Sequence, residues 1–230
     1  MAAGALLQSA TGFGFSLVAA PLVFAAIEPE QAVGLLIVLG TEVNVLTLAS
    51  ERRTPRPLWR RCGVMLAWAA PGALLGVVVL KALPPVGLQV AVTLGVLGTL
   101  VARKVASRRA HVPAWAAGLT AGALTTTTTT NGPPMLLHLL GVDAPPAGVR
   151  DTLSVCFLGL AVLGAAALWA TGTPALPDAA LVLGLVPGVA AGHLVGRRVF
   201  ARLAAGGGYE GVLTTILVIA AFAGLAGVVF

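Results

Sequence analysis

Two short segments carry the residue types best suited to chemistry: Gly12-Phe13-Gly14-Phe15-Ser16, and Thr125 to Thr130 followed by Asn131-Gly132-Pro133-Pro134. Each interrupts a long apolar stretch, and they lie about half a chain apart. Broken apolar segments at matching places in two halves mark the binding site of many transporters. Non-helical backbone persists in a membrane only where it is buried in protein or lines a polar cavity. Each break leads into a new half-helix: one starts at Phe15 and Ser16, the other after Asn131, an expected N-cap, with Pro133 in a first turn that tolerates proline. Both half-helices are therefore expected to present free N–H groups and positive dipole ends near the midplane, where an oxyanion is the natural ligand.

Threonine hydroxyls can replace part of an anion's water shell, or bond back to a carbonyl one turn earlier. The second use is expected at Thr125 and Thr126, and site lining at Thr128, Thr129 and Thr130 beside Asn131. With no Lys or Arg inside a trusted apolar span, attraction falls to amides and dipoles, which suits a carrier that must release its cargo. Ionisable groups inside membranes are functional candidates by default. Glu42, beside Thr41 and Asn44, is either a proton-carrying acid or a neutral acid bonded to a neighbouring helix. His138 and His193 are candidates for a proton or substrate role, with hydrogen-bonded packing as the plainer alternative. Asp151, next to Arg150, is expected to stabilise a helix N-terminus. Gly72, Gly76, Gly188 and Gly192 have the small-residue spacing that lets helices approach closely. Cys62 and Cys156 lack CxxC spacing and a neighbouring His or acidic cluster, so neither disulfide framework nor metal site is indicated, and no cofactor is expected.

The elements that must position these residues follow from composition. With 58% hydrophobic and 10% charged residues and a mean hydropathy of +0.98, the chain reads as an all-α integral membrane protein. Spanning helices of roughly 20 apolar residues fit at 31–50, 62–80, 86–102, 151–170, 178–196 and 211–230, and broken segments at 1–27 and 114–140. A net charge of +6 could suggest nucleic acid. The basic residues, however, cluster in loops, at Arg52 to Arg61, Arg103 to Arg109 and Arg197 to Arg202, the positive-inside pattern of a multi-pass protein of the cell membrane with basic loops in the cytoplasm. No cleavable signal peptide is evident, since no basic segment precedes the first break.

Pro71-Gly72, Gly76 and Lys81 recur as Pro187-Gly188, Gly192 and Arg197, 116 residues later, and Glu28 and Ala32 recur as Asp143 and Ala147 at an offset of 115. The chain thus divides into repeats at 1–110 and 111–230. Eight full crossings would put Arg197, Arg198 and Arg202 on the wrong side. If the broken segments instead enter and leave from one side, every major basic cluster is cytoplasmic. Length agrees, since 10–12 residues reach about 15–18 Å, half of a ~30 Å hydrocarbon core. Each repeat is therefore read as a re-entrant helical hairpin plus three transmembrane helices, an odd count that inverts the second repeat. Two kinked spanning helices are the alternative.

Gly12-Phe13-Gly14-Phe15-Ser16-Leu17-Val18-Ala19-Ala20-Pro21-Leu22 and Asn131-Gly132-Pro133-Pro134-Met135-Leu136-Leu137 resemble the paired signature segments of the sulfite exporter family of TauE/SafE type. The resemblance implies a permease for sulfite, sulfonates or related organosulfur anions. Gly12, Gly14 and Ser16, with Asn131, Gly132 and Pro133, would surround the substrate, joined by the adjoining Phe13 and Phe15. Two departures stand out. The threonine run replaces what is often a glycine-rich stretch, which bears on the choice of substrate, and the chain begins close to its first motif, as a short or truncated N-terminus would. The expected function is secondary transport of a small anion by alternating access, with a proton or cation as the expected coupling partner. A passive anion channel or a non-transporting membrane subunit is the alternative. Catalytic residue spacing is not found in the spans, so enzyme chemistry is not expected.

Overall fold

The computed structural model describes residues 1–50, 53–84, 86–88, 90–91, 112–173 and 175–206. Most of the expected span 86–102 and all of 211–230 fall outside them. The described elements are α-helices, α1 (Ala2–Thr11), α2 (Phe15–Ala26), α3 (Pro29–Ala49), α4 (Trp59–Ala82), α5 (Ala114–Thr127), α6 (Gly132–Leu140), α7 (Pro146–Ala170) and α8 (Ala179–Gly206). Two short helices followed by two long ones therefore occur twice. Helices α3, α4, α7 and α8 are long and apolar enough to cross a membrane. The short helices have 9 to 14 residues, about 14–21 Å, so none crosses a ~30 Å core alone.

Each short pair folds back on itself. Gly4 of α1 packs against Phe15 at the start of α2. His138 near the end of α6 is bonded through Nδ1 to the carbonyl of Val112, just before α5, at 2.7 Å, so α6 returns to the level at which α5 began. Helices α3 and α7 run antiparallel: Arg53 beyond the end of α3 meets Asp151 near the start of α7, while Gly34 early in α3 faces Ala175 beyond its end. The closest seams are crossed between the two halves of the chain, α4 lying along α5 and α1 along α8. Glycine makes both seams possible. Gly118 and Gly122 press on the backbone at Met65 and Ala69, Gly72 and Gly76 on Leu119 and Ala123, and Gly192 and Gly196 on Ala2 and Leu6. Gly188 meets no atom of the described residues, so the close-approach role expected for it is not seen among them.

Two boundaries change the placing of named residues relative to the sequence reading. Helix α7 begins at Pro146, five residues before the expected start, because Pro145 is extended and Pro146 suits a first turn. Asp151 is therefore inside the helix, and its carboxylate accepts from Arg53 at 2.7 and 2.9 Å and from the Arg56 amide at 2.8 Å rather than serving its own helix end. Helix α8 runs to Gly206, so Arg197, Arg198 and Arg202 lie on a helix and not in a loop. Arginine is a good helix former whose exposed head can reach water from a helix flank.

Candidate functional site

The first break is fixed by glycine and by two aromatic anchors. Gly12 and Gly14 adopt φ of +90° and +107°, the left-handed region open to glycine. Between and after them, Phe13 and Phe15 are fully buried in different apolar clusters, Phe13 with Met65, Met135 and Leu153, and Phe15 with Leu36, Leu39 and Val77. Thr11 brackets the turn, its hydroxyl within 2.9 Å of the Leu7 carbonyl and 2.8 Å of that of Phe13. Behind the turn, the buried Arg150 lies against Gly12 and stacks its guanidinium 4.0 Å from the Phe200 ring centroid. A cation at this point complements the C-terminal dipole of α1.

The second break is built by the threonines. Thr125 and Thr127 bond back to the carbonyls of Ala121 and Ala123, each at 2.7 Å. Thr126 reaches across the seam to the Ala73 carbonyl of α4 at 2.8 Å as well as back to the Ala123 carbonyl at 3.4 Å. Thr128 and Thr130 bond to each other at 2.8 Å. Thr129, between them, has φ +58°, a conformation that costs a β-branched residue of order 1–3 kcal/mol and that the surrounding packing must hold. Asn131 occupies the N-cap position, but its Nδ2 turns back to donate to Thr125 Oγ1 at 2.8 Å. The expected side-chain cap is thus absent, because the amide is committed to the preceding helix.

Both breaks open into one cavity of about 40 Å³, more than the roughly 10–15 Å³ that one water requires. Gly14, Ser16 and Leu17 come from the first break, and Thr125, Thr129, Thr130, Asn131 and Gly132 from the second. The breaks also touch directly, since Phe13 packs on Gly132. Helix α3 contributes Leu36, Ile37, Gly40, Thr41 and Asn44, α7 contributes Phe157 and Ala161, and α1 contributes Gln8. Gly40 lies eleven residues from the start of α3 and nine from its end, and Phe157 and Ala161 have the matching places in α7. The cavity is therefore at mid-depth of both long helices. Among the described residues, its lining holds no charged side chain.

The expected site residues separate into two groups. Gly14, Ser16, Thr129, Thr130, Asn131 and Gly132 line the cavity; Gly12, Phe13, Phe15, Thr128 and Pro133 stand behind its wall. The two half-helix N-termini are also unequal. In α6, Pro133 and Pro134 have no N–H, so the first turn offers chiefly the Gly132 amide. In α2, the amide of Phe15 donates to Gln8 Oε1 at 3.1 Å, leaving Ser16 and Leu17 as first-turn donors without an intrahelical acceptor. Gln8 in turn donates to Asn44 Oδ1 at 2.8 Å. Gln8 carried no site role in the sequence reading, and Thr41 and Asn44 entered it only as neighbours of Glu42. A helical-wheel reading would have found the second pair: Ile37, Gly40, Thr41 and Asn44 share one face of α3. Glu42 is off that face, half-buried, with Oε2 buried and without a hydrogen-bond partner. His138 and His193 are buried outside the cavity lining.

Long apolar helices with broken half-helices around a charge-free polar cavity define a multi-pass membrane protein of the transporter class. The chain belongs to the sulfite exporter TauE/SafE family, whose model matches residues 1–224. No curated protein and no solved structure matches it.

Proposed function

We propose that the chain is a secondary transporter of a small sulfur oxyanion, namely sulfite, a sulfonate or a related organosulfur anion, bound between the two breaks. The observation that carries this reading is that both breaks open into one uncharged cavity midway along α3 and α7. The lining combines polar groups on Gln8, Ser16, Thr41, Asn44, Thr129 and Asn131 with apolar side chains on Leu36, Ile37, Phe157 and Ala161. An R–SO3 anion presents both kinds of surface, three oxygens and a carbon on sulfur. Binding by amides and hydroxyls without a fixed cation leaves the site able to release its ligand in each cycle.

In this reading the two repeats are inverted. The antiparallel course of the equivalent helices α3 and α7 supports it, as does the basic cluster at the N-terminal end of α4 but the C-terminal end of α8. The short helices are re-entrant hairpins, the basic ends face the cytoplasm across the cell membrane, and rocking of the repeats exposes the site alternately. A proton is the coupling partner that the embedded His193 and Glu42 could handle, whereas His138 is less suited.

Uptake of labelled sulfite, sulfoacetate and taurine into proteoliposomes tests the reading. Wild-type flux is expected to saturate with concentration, and Gly14→Leu and Asn131→Leu are each expected to reduce it at least tenfold, about 1.4 kcal/mol or more. Unchanged flux in both variants would remove the site assignment, and flux that never saturates would favour a channel.

A further inference from the structure

Gln8 spans the two helices that meet the first break, and both ends of its carboxamide are committed. Its Oε1 accepts from the Phe15 amide at 3.1 Å, and its Nε2 donates to Asn44 Oδ1 at 2.8 Å. Asn44 is itself oriented, because its Nδ2 donates to the Gly40 carbonyl at 2.8 Å. The chain Phe15 N–H to Gln8, Gln8 to Asn44, Asn44 to Gly40 therefore runs in one direction, and reversing the Gln8 amide would set donor against donor at Phe15. Gln8 is 6% exposed, yet it and Asn44 both line the cavity. The second break has a counterpart 117 residues on, where Thr125 Oγ1 accepts from Asn131, but there the acceptor takes a side-chain N–H and leaves the α6 backbone alone. Among the described residues, α2 is where a neutral side chain that lines the cavity covers a helix-opening amide, that of Phe15, which stands just behind the wall between Gly14 and Ser16.

We propose that Gln8 is an internal competitor for the transported anion and thereby a specificity-determining residue: its carboxamide oxygen occupies the Phe15 amide that an oxyanion takes when it binds. The proposal rests on the anion reading of the cavity. A charged acceptor forms a hydrogen bond roughly twice as strong as a neutral one, so an oxyanion displaces the Gln8 oxygen, whereas a neutral polar solute gains nothing by exchanging one neutral acceptor for another. Gln8 thus makes the α2 terminus selective for charge without placing a cation in the cavity.

Calorimetric binding of sulfite and methanesulfonate to the purified full chain in nanodiscs tests this, with melting temperature as the measure of folding. Gln8→Glu places a carboxylate permanently on the Phe15 amide and is expected to weaken both anions at least about tenfold, with a lowered melting temperature because its second oxygen meets Asn44 Oδ1 with no proton between them. Gln8→Met keeps the length and removes the acceptor, and is expected to tighten anion binding several-fold even though it leaves the Phe15 amide without its partner. Wild-type affinity in a folded Gln8→Glu variant would overturn the proposal, as would weaker binding by Gln8→Met, which would make Gln8 a direct ligand. Should Gln8→Glu fail to fold, Gln8→Met decides alone. A wild type that binds neither anion removes the anion reading itself and this proposal with it, an outcome distinct from the other two.

Discussion

His138 and His193 are both buried, but their partners treat a proton differently. His138 accepts at Nε2 from Arg61 at 3.4 Å and is bonded through Nδ1 to the Val112 carbonyl. A second ring proton would face a guanidinium, which has only donors. His193 is bonded by Ser9 Oγ at 2.8 Å and by Ser50 Oγ at 3.0 Å. A hydroxyl either donates or accepts, so this ring can gain a proton without losing a bond. If anion and proton move together, flux rises as pH falls through the histidine's titration, and His193→Gln is expected to flatten that profile in proteoliposomes. A variant that keeps the wild-type pH dependence would pass the role to Glu42. At this scale, Gly12, Gly14 and Asn131 were legible because helix-breaking residues inside apolar runs are conspicuous. Gln8 was not, because its importance comes from Phe15 and Asn44, contacts that only folding creates.

The half-helices were legible from length alone, since segments of about a dozen residues between glycine breaks cannot span a bilayer. The seams were legible only in part. The repeat flagged Gly72, Gly76, Gly188 and Gly192, but contact depends on which face each helix turns to its neighbour, and Gly188 meets none of the described residues while Gly118, Gly122 and Gly196 lie in contact. Opposite responses to one substitution follow. In a helix, Gly→Ala ordinarily gains roughly 0.5–1 kcal/mol by restricting the unfolded backbone, and Gly188→Ala is expected to gain it. At Gly122 a new Cβ meets the Ala69 backbone, which cannot move as a side chain tip would, and overpacking is expected to cost about 1–3 kcal/mol. Melting temperatures of the two variants check the contrast, and a shift of the same sign in both would contradict the seam. The boundaries of α7 and α8 escaped the sequence because Pro145-Pro146 permits an earlier start and the terminal arginines continue a helix as readily as they fill a loop.

Over the whole molecule, the α3–α4 loop is fastened to α7 by a compact set of bonds. Asp151 takes both guanidinium nitrogens of Arg53 and the Arg56 amide, and the Leu58 amide donates to Thr152 Oγ1 at 3.0 Å. A double-mutant cycle with Arg53→Gln and Asp151→Ala is expected to give a coupling of about 1 kcal/mol, modest because Arg53 is partly exposed. A coupling near zero would mean that the loop is held by Thr152 and the backbone bonds instead. The all-helical, membrane-spanning character was legible from hydropathy, since that is a property of the chain. The crossed pairing of α1 with α8 and of α4 with α5 was not, because it depends on which helices meet in space.

That crossing also sets the order of events during synthesis. Helix α1 is made well before α8, the last described element and the partner that covers it, and Ser9 waits 184 residues for His193. At roughly 5–20 residues per second, α1 and its break spend about 10–40 s in the membrane before α8 exists to receive them. Over that interval the first half of the site depends on local holds, chiefly Gln8 on Phe15 and Thr11 across the turn.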